Sequence, residues 1–191
     1  MSEQIFNKIH ELLSKNEAKF RVIEHESART SEEVAKIRGT KMSQGAKALV
    51  CSIKGIDEAK FRQIFKDENV LDGYLLDDEK PAMKAGKIYL LAVLPADEQA
   101  DLDALTQKFD GKRASLASPD EVTALADCVF GSVPPFIFHR NLHLVVDESL
   151  LERNDEIAFN AGLLDRSIVL NAKDYARIVK PVFVKFAKEK C

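Results

Sequence analysis

The sequence predicts an α+β fold with a mixed or mainly antiparallel sheet. Three observations carry this. Segments with helical and with strand periodicity are interspersed without the regular βαβ beat of a parallel, doubly wound sheet. The hydrophobic fraction of 46% and charged fraction of 31% are those of an ordinary globular chain, which sets aside collagen-like, disordered and membrane classes. At 191 residues, the chain is long enough to bury a core as one domain with an elaboration.

The elements follow in order. Ile5, Phe6, Ile9, Leu12 and Leu13 keep the spacing of an amphipathic helix. Phe20 to His25 reads as a short strand. "TSEEVAKIRG" announces a helix capped by Thr30, with Glu33 at the capping-box position and Gly39 as its stop. "KALVCSI", Lys47 to Ile53, is a buried strand. From Gly55 to Gly86 the chain turns polar, with one helical patch at Phe61, Ile64 and Phe65; this stretch reads as an insertion within a single 1–191 domain, since it can bury little by itself. A strand is expected at Lys87 to Leu94, closed by Pro95, and a helix at Leu102, Leu105 and Phe109. "SPDEVTAL" begins another helix, with Ser118 as cap and Pro119 at its first position. Strands are expected near Phe136 to Phe138, Leu142 to Asp147, Glu156 to Asn160 and Arg166 to Asn171, the last two joined by a turn at Gly162. The chain is expected to finish in helix broken by Pro181.

Several function classes fall away on composition. A net charge of −3 excludes a protein that grips nucleic acid by bulk electrostatics, while leaving room for a local basic face. Cys51, Cys128 and Cys191 form neither a disulfide framework nor a zinc ribbon. The N-terminal twenty residues lack an uninterrupted apolar segment and a cleavage site, and no apolar run is long enough to span a bilayer, so a cytoplasmic address without membrane contact is the expectation.

Two features could carry chemistry. In an extended strand Lys47 shares a face with Leu49, Cys51 and Ile53, which puts an ammonium at the mouth of an apolar row. It is either a strand-end lysine reaching solvent or a cation projecting into a pocket. In "DCVFGSVPPFIF", Pro134 and Pro135 supply no backbone N–H and fix φ, whereas Gly131 tolerates φ values that Ser132 and Val133 do not. The loop is either a chain reversal or a stiff cradle whose three amides hold an oxyanion.

Other candidates are weaker. Ser132 has no histidine or lysine close in sequence and no strand-to-helix elbow after it. Cys128, between Asp127 and Val129, reads as a small buried hydrophobe before it reads as a nucleophile paired with His139 or His143. Those two histidines have a spacing that suits metal on a helix, but they lie in a strand-like run with no third ligand, so no metal or other cofactor is expected. Basic residues near the C-terminus (Lys173, Arg177, Lys180, Lys185, Lys188, Lys190) and around the second helix (Lys36, Arg38, Lys41) read as solvated faces or RNA contacts.

The order of "TSEEVAKIRG", "QGAKALV", "FGSVPPF", "VVDESLL" and "IAFNAGLLDRSIVL" resembles the YbaK/ProX family of aminoacyl-tRNA deacylases, whose domain also occurs as the editing insertion of bacterial prolyl-tRNA synthetases. The match runs from about Phe20 to Tyr175, with the Gly55 to Gly86 stretch as a gap. The resemblance implies a barrel-like sheet with surrounding helices and a free-standing hydrolase that cleaves the ester of a mischarged tRNA, typically alanine or cysteine on proline tRNA. Its glycine–proline loop maps onto Gly131, Ser132, Val133, Pro134 and Pro135, its pocket lysine onto Lys47, and its closing turn onto Asn160, Ala161 and Gly162. Mischarged tRNA is the implied partner, with an aminoacyl-tRNA synthetase as a second and DNA as none. The alternative is a module of the same fold that binds tRNA or synthetase without turnover. Ala48 stands where a threonine is common in the family, and the insertion exceeds that of compact members, which leaves the edited amino acid open.

Overall fold

The computed structural model describes residues 2–28, 30–65, 71, 74–75 and 86–190. In chain order the elements are α1 (Ser2–Lys15), β1 (Phe20–Glu24), α2 (Ser31–Arg38), a 3-10 turn (Met42–Gln44), β2 (Ala46–Lys54), α3 (Glu58–Ile64), β3 (Lys87–Pro95), β4 (Glu98–Ala100), α4 (Leu102–Lys108), β5 (Arg113–Leu116), α5 (Pro119–Ala126), β6 (Leu142–Val146), α6 (Glu148–Glu152), β7 (Glu156–Asn160), β8 (Arg166–Asn171), α7 (Ala172–Val179), β9 (Val182–Phe183) and β10 (Ala187–Glu189). Of the expected 55–86 insertion, residues 66–70, 72–73 and 76–85 lie outside the described residues. No described helix is long and apolar enough to cross a membrane.

The strands form three sheets: β5-β2-β3-β6-β9, β1-β8-β7 and the pair β10-β4. β3 pairs in parallel with β6, and β6 with β9; the other strand pairs are antiparallel, the mixed arrangement expected. β3, in the middle of the five-stranded sheet, is buried on both faces, which is why it reads as the nearly unbroken apolar run KIYLLAVLP. Alternation sorts its side chains: Tyr89, Leu91 and Val93 join Val50, Leu144 and the buried α1 residues Ile5, Ile9, Leu12 and Leu13, whereas Leu90, Ala92 and Leu94 join Cys51, Ile53, Phe61, Phe65 and Phe109.

The capping signals are realised at α2. Thr30 Oγ1 accepts from Glu33 N, the reciprocal bond is made, and Gly39 closes the helix in the left-handed region with φ 65°. β7 and β8 pair with Glu156 opposite Asn171 and Asn160 opposite Ser167, and Gly162, at φ 83°, lies in the connection.

Two expectations are corrected. Phe136 to Phe138 form no strand. Both prolines withhold ladder donors, and the three side chains that follow are buried in the core instead, with Tyr175 Oη donating to the Pro135 carbonyl at 2.8 Å. The chain does not resume a helix after Pro181. α7 ends with Lys180 in the left-handed region, and the tail is held extended by β9 against β6, β10 against β4, and Asp147 Oδ2, which accepts from the amides of Phe186 and Ala187.

Candidate active site

β5 pairs with β2 only over Cys51 to Lys54, and Ala117 N adds a bond to the Val50 carbonyl. At the other end of β2, Gly45 bridges Ala158 of β7. Between these contacts the first half of β2 has β3 on one side and open space on the other. That space is a cavity of about 360 Å³, walled by Ala46–Val50, by Val34 and Arg38 of α2, by Leu116, Ala117 and Val122, by Gly131 and Val133, and by Ala158, Phe159 and Asn160. Its size is at the low end of cavities that take a drug-sized ligand, more than an amino acid alone requires. Gly45 is required at its corner, because a Cβ there would stand 2.8 Å from Ala96 Cβ.

Lys47 lines this cavity and is half-buried, and its Nζ donates to the Glu98 carbonyl. Burial, and then the charge of Lys190, lower its pKa below the ordinary lysine value, against the opposing pull of Asp97 and Glu98. Lys47 is thus part of the cavity wall, with its ammonium tied to the Glu98 carbonyl.

The loop after α5 is pinned by its carbonyls. Asn160 Nδ2 donates to Gly131 O at 3.0 Å, Gly162 N to Ser132 O at 3.0 Å, and Tyr175 Oη to Pro135 O. Gly131 adopts φ 89°, which favours glycine. Ser132 is fully buried, and both its amide (3.1 Å) and its hydroxyl (3.0 Å) donate to the Val129 carbonyl. Gly131 and Val133 face the cavity, and among the described residues neither of their amides donates to a protein acceptor. The structure thus brings Lys47, Gly131, Val133 and Asn160 to one cavity. Pro134 and Pro135 are buried behind the loop; Ala161 and Gly162 sit outside the lining, Ala161 N closing the hairpin on the Arg166 carbonyl.

Sequence reasoning missed a polar network on the same wall. Arg38 donates from Nε to Ser167 Oγ at 2.8 Å and from Nη2 to Asn160 Oδ1 at 2.7 Å. Ser167 Oγ also lies 2.7 Å from His25 Nε2, and His25 Nδ1 lies 2.8 Å from the Glu26 carbonyl. A carbonyl only accepts, so Nδ1 carries a proton, and the one hydroxyl proton of Ser167 has two acceptors within reach, His25 Nε2 and, at 3.1 Å, Asn160 Oδ1. Phe130, 82% exposed, and Leu116, 55% exposed, form an apolar rim.

The remaining candidates sit elsewhere. Cys128 is 3% exposed, and burial, followed by the charge of Asp127, pushes its thiol up to about 12. His143 packs between Phe61 and Phe65 with ring centroids 4.9 Å from each, while His139 Nδ1 accepts from Asn141 N. Among the described residues, no group of His, Cys, Asp and Glu is clustered for a metal ion. No aspartate, glutamate, histidine or cysteine lines the cavity among those residues. Its chemistry is that of cations and main-chain donors placed around an apolar recess.

A family model described as "Aminoacyl-tRNA editing domain" matches residues 25–178. The chain is 46% identical over 177 residues to the Multifunctional Ser/Thr-tRNA deacylase ProXp-y of Escherichia coli K12, covering 93% of this chain and 89% of that protein, and equally so to its counterpart in strain O157:H7. Among solved structures, it is similar to a hypothetical protein at TM-score 0.70 and 18% identity, covering 95% of this chain and 99% of that one. It is also similar to a candidate trans-editing enzyme for prolyl tRNA synthetase at TM-score 0.68 and 20% identity, covering 96% and 97%.

Proposed function

The chain belongs to the aminoacyl-tRNA editing domain family and is an aminoacyl-tRNA deacylase, and from that premise we propose that it removes serine or threonine from mischarged tRNA at the cavity beside β2. The observation that carries the site assignment is the convergence of Lys47 with Gly131 and Val133 on one recess whose lining, among the described residues, holds no aspartate, glutamate, histidine or cysteine.

An aminoacyl ester is already activated. Its hydrolysis needs a positioned water and stabilisation of the tetrahedral oxyanion more than it needs a strong nucleophile. In this reading the amides of Gly131 and Val133 donate to the oxyanion as the water adds to the ester carbonyl. The ribose oxygen leaves with the electron pair of the broken C–O bond and takes up the proton that the attacking water gives up, and the vicinal ribose hydroxyl of the substrate orients the water. Lys47 holds the 3′ end through a carbonyl or phosphate oxygen. Loss of one oxyanion donor typically costs about 3 kcal/mol, a hundredfold or more in rate.

The edited amino acid is the finer question. Alanine or cysteine on proline tRNA is what the family resemblance implies, whereas the name of the E. coli relatives gives serine and threonine. The wall supports the second choice. Thr30, Ser31 and Asn160 place polar groups among Val34, Ala35, Ala46, Ala48 and Ala158, so a hydroxyl finds a partner while a bulky side chain meets the apolar lining. Within an apolar pocket, one methylene changes binding by only about 1–3 kcal/mol, so a hydrogen-bonding wall is the stronger discriminator.

The test is a deacylation panel of purified protein against seryl-, threonyl-, alanyl- and cysteinyl-tRNA, with Lys47→Ala beside the native chain. Release from the first two and its loss in the variant is the expected result. Turnover restricted to alanyl or cysteinyl ester would overturn the substrate assignment. A native rate in Lys47→Ala would remove that lysine from the mechanism, and binding of charged tRNA with no release from any would favour the non-catalytic module.

A further inference from the structure

The cavity wall carries two cations in different electrostatic states. Lys47 has Asp97 and Glu98 beside it, which favour its charge. Arg38 has no such support. Its two acceptors, Ser167 Oγ and Asn160 Oδ1, are neutral, and no carboxylate pairs with it among the described residues. Burial pulls its pKa down to about 10, and no anion opposes that pull. The C-terminal end of α2 offsets part of the cost through its partial negative charge.

A guanidinium has five N–H donors. Two are taken, by Ser167 and Asn160, which leaves three. Nη1 is not among the buried atoms without a partner, so its donors are accessible, and Arg38 is part of the cavity wall. A partly buried, unbalanced cation with free donors in a recess without carboxylates is a site for an anion. The two hydrogen bonds already made fix the plane of the fork, so little conformational freedom remains to be lost when an anion docks.

We propose that Arg38 is the anion-binding residue of this cavity and takes the phosphodiester that joins the terminal nucleoside of the substrate to the nucleotide before it. The proposal rests on the deacylase reading for the identity of the ligand. It adds a residue with a function of its own: the ester is held at Lys47 and the Gly131 loop, and the strand is held at Arg38. Asn160 joins the two, since its Oδ1 accepts from Arg38 and its Nδ2 donates to the Gly131 carbonyl. An anion docked on Arg38 therefore bears on the side chain that sets the loop.

Adenosine 5′-monophosphate and adenosine are the probes, titrated into the full chain and followed by calorimetry, with Arg38→Gln and Arg38→Lys beside the native protein. The native chain should bind the monophosphate at least tenfold more tightly than adenosine. Arg38→Gln should erase that difference while leaving adenosine binding in place, and Arg38→Lys should restore part of it. With charged tRNA, Arg38→Gln should raise KM by tenfold or more, by the same factor for seryl and alanyl esters, and reduce the slope of log affinity against log salt by about 0.7, the share of one single-strand phosphate.

Equal affinity of the native chain for the two probes overturns the proposal, and this comparison needs no variant to fold. A change in the seryl to alanyl ratio with KM unmoved overturns it in favour of Arg38 reading the amino-acid side chain. Probe binding requires no turnover, so an inactive result in the deacylation panel leaves this test standing.

Discussion

Asn160 Nδ2 donates to the Gly131 carbonyl at 3.0 Å, while the Oδ1 of the same amide accepts from Arg38 Nη2 at 2.7 Å. The loop is therefore suspended from a strand side chain, and its orientation depends on which way that amide faces. Asn160→Ala should lower the single-turnover deacylation rate by roughly tenfold to a hundredfold and destabilise the chain by about 1–3 kcal/mol, since Arg38 loses its acceptor. Asn160→Asp separates the two effects. It keeps an acceptor for Arg38 and adds a charge to pair with it, but it loses the donor to Gly131, so stability should be kept while the rate falls as in the alanine variant. A native rate in Asn160→Asp would detach the loop from this residue.

Gly131 is held at φ 89°, and among the described residues the only atom within 4 Å of a Cβ added there is Leu164 Cδ2 at 3.8 Å. Space is thus available and backbone conformation is the obstacle. Gly131→Ala should cost about 1–3 kcal/mol, a fall of several degrees in Tm by calorimetry, and the rate should drop at least tenfold as the loop relaxes away from this conformation. An unchanged Tm with full activity would show that the loop does not need it.

Glu121 closes a largely buried cluster, accepting from Lys87 Nζ at 2.8 Å, Tyr89 Oη at 2.6 Å and Ser118 N at 2.9 Å. Hydrogen bonds from Lys87 and then Tyr89 bring its pKa down to about 2 from an ordinary value of 4.5. A carboxylate lowered on folding contributes stability that is complete above its unfolded pKa and is lost as pH falls toward the folded one. Glu121→Gln should thus cost about 2–3 kcal/mol at pH 7, and the gap to the native chain should narrow steadily from pH 4.5 to pH 2. Urea denaturation at several pH values measures this, and a gap independent of pH would remove the carboxylate's charge from the account.

Cys128, with its thiol pushed up to about 12, holds almost no thiolate at neutral pH. Cys128→Ala should keep deacylation within about threefold of the native rate, since the change removes one small buried atom and leaves the backbone donors in place. Iodoacetamide at pH 7.5 should leave the rate intact. Loss of activity in the alanine variant with a native Tm would revive a thiol mechanism.

The parts of this fold legible in the sequence are those set by neighbours along the chain. Thr30, Glu33 and Gly39 announce α2, and the Glu156–Asn160 and Arg166–Asn171 pair is read from two apolar runs around one glycine. The alternation that puts Lys47 on the face of Leu49, Cys51 and Ile53 also survives into the two cores. What escaped is long-range. Arg38 reads from the sequence as part of a solvated basic face or an RNA contact, because its partners Asn160 and Ser167 lie 122 and 129 residues away. Ser132 looks like one of three free amides, because only the folded turn directs its N–H to Val129. Phe136 to Phe138 have strand composition, yet they follow two prolines and are claimed by packing around Tyr175 and Phe159.

The recess exists because β5 joins its neighbour late, at Cys51. Its width is therefore a matter of register at a sheet margin, not of carving atoms out of an interior. Extending β5 by two residues past Leu116 would bring it only to Val50 and Leu49 and so narrow the gap, and shortening it would lengthen the slot, in either case without exchanging a residue of the cores. A scaffold of this kind can drift between substrates of different girth through its connecting segments alone.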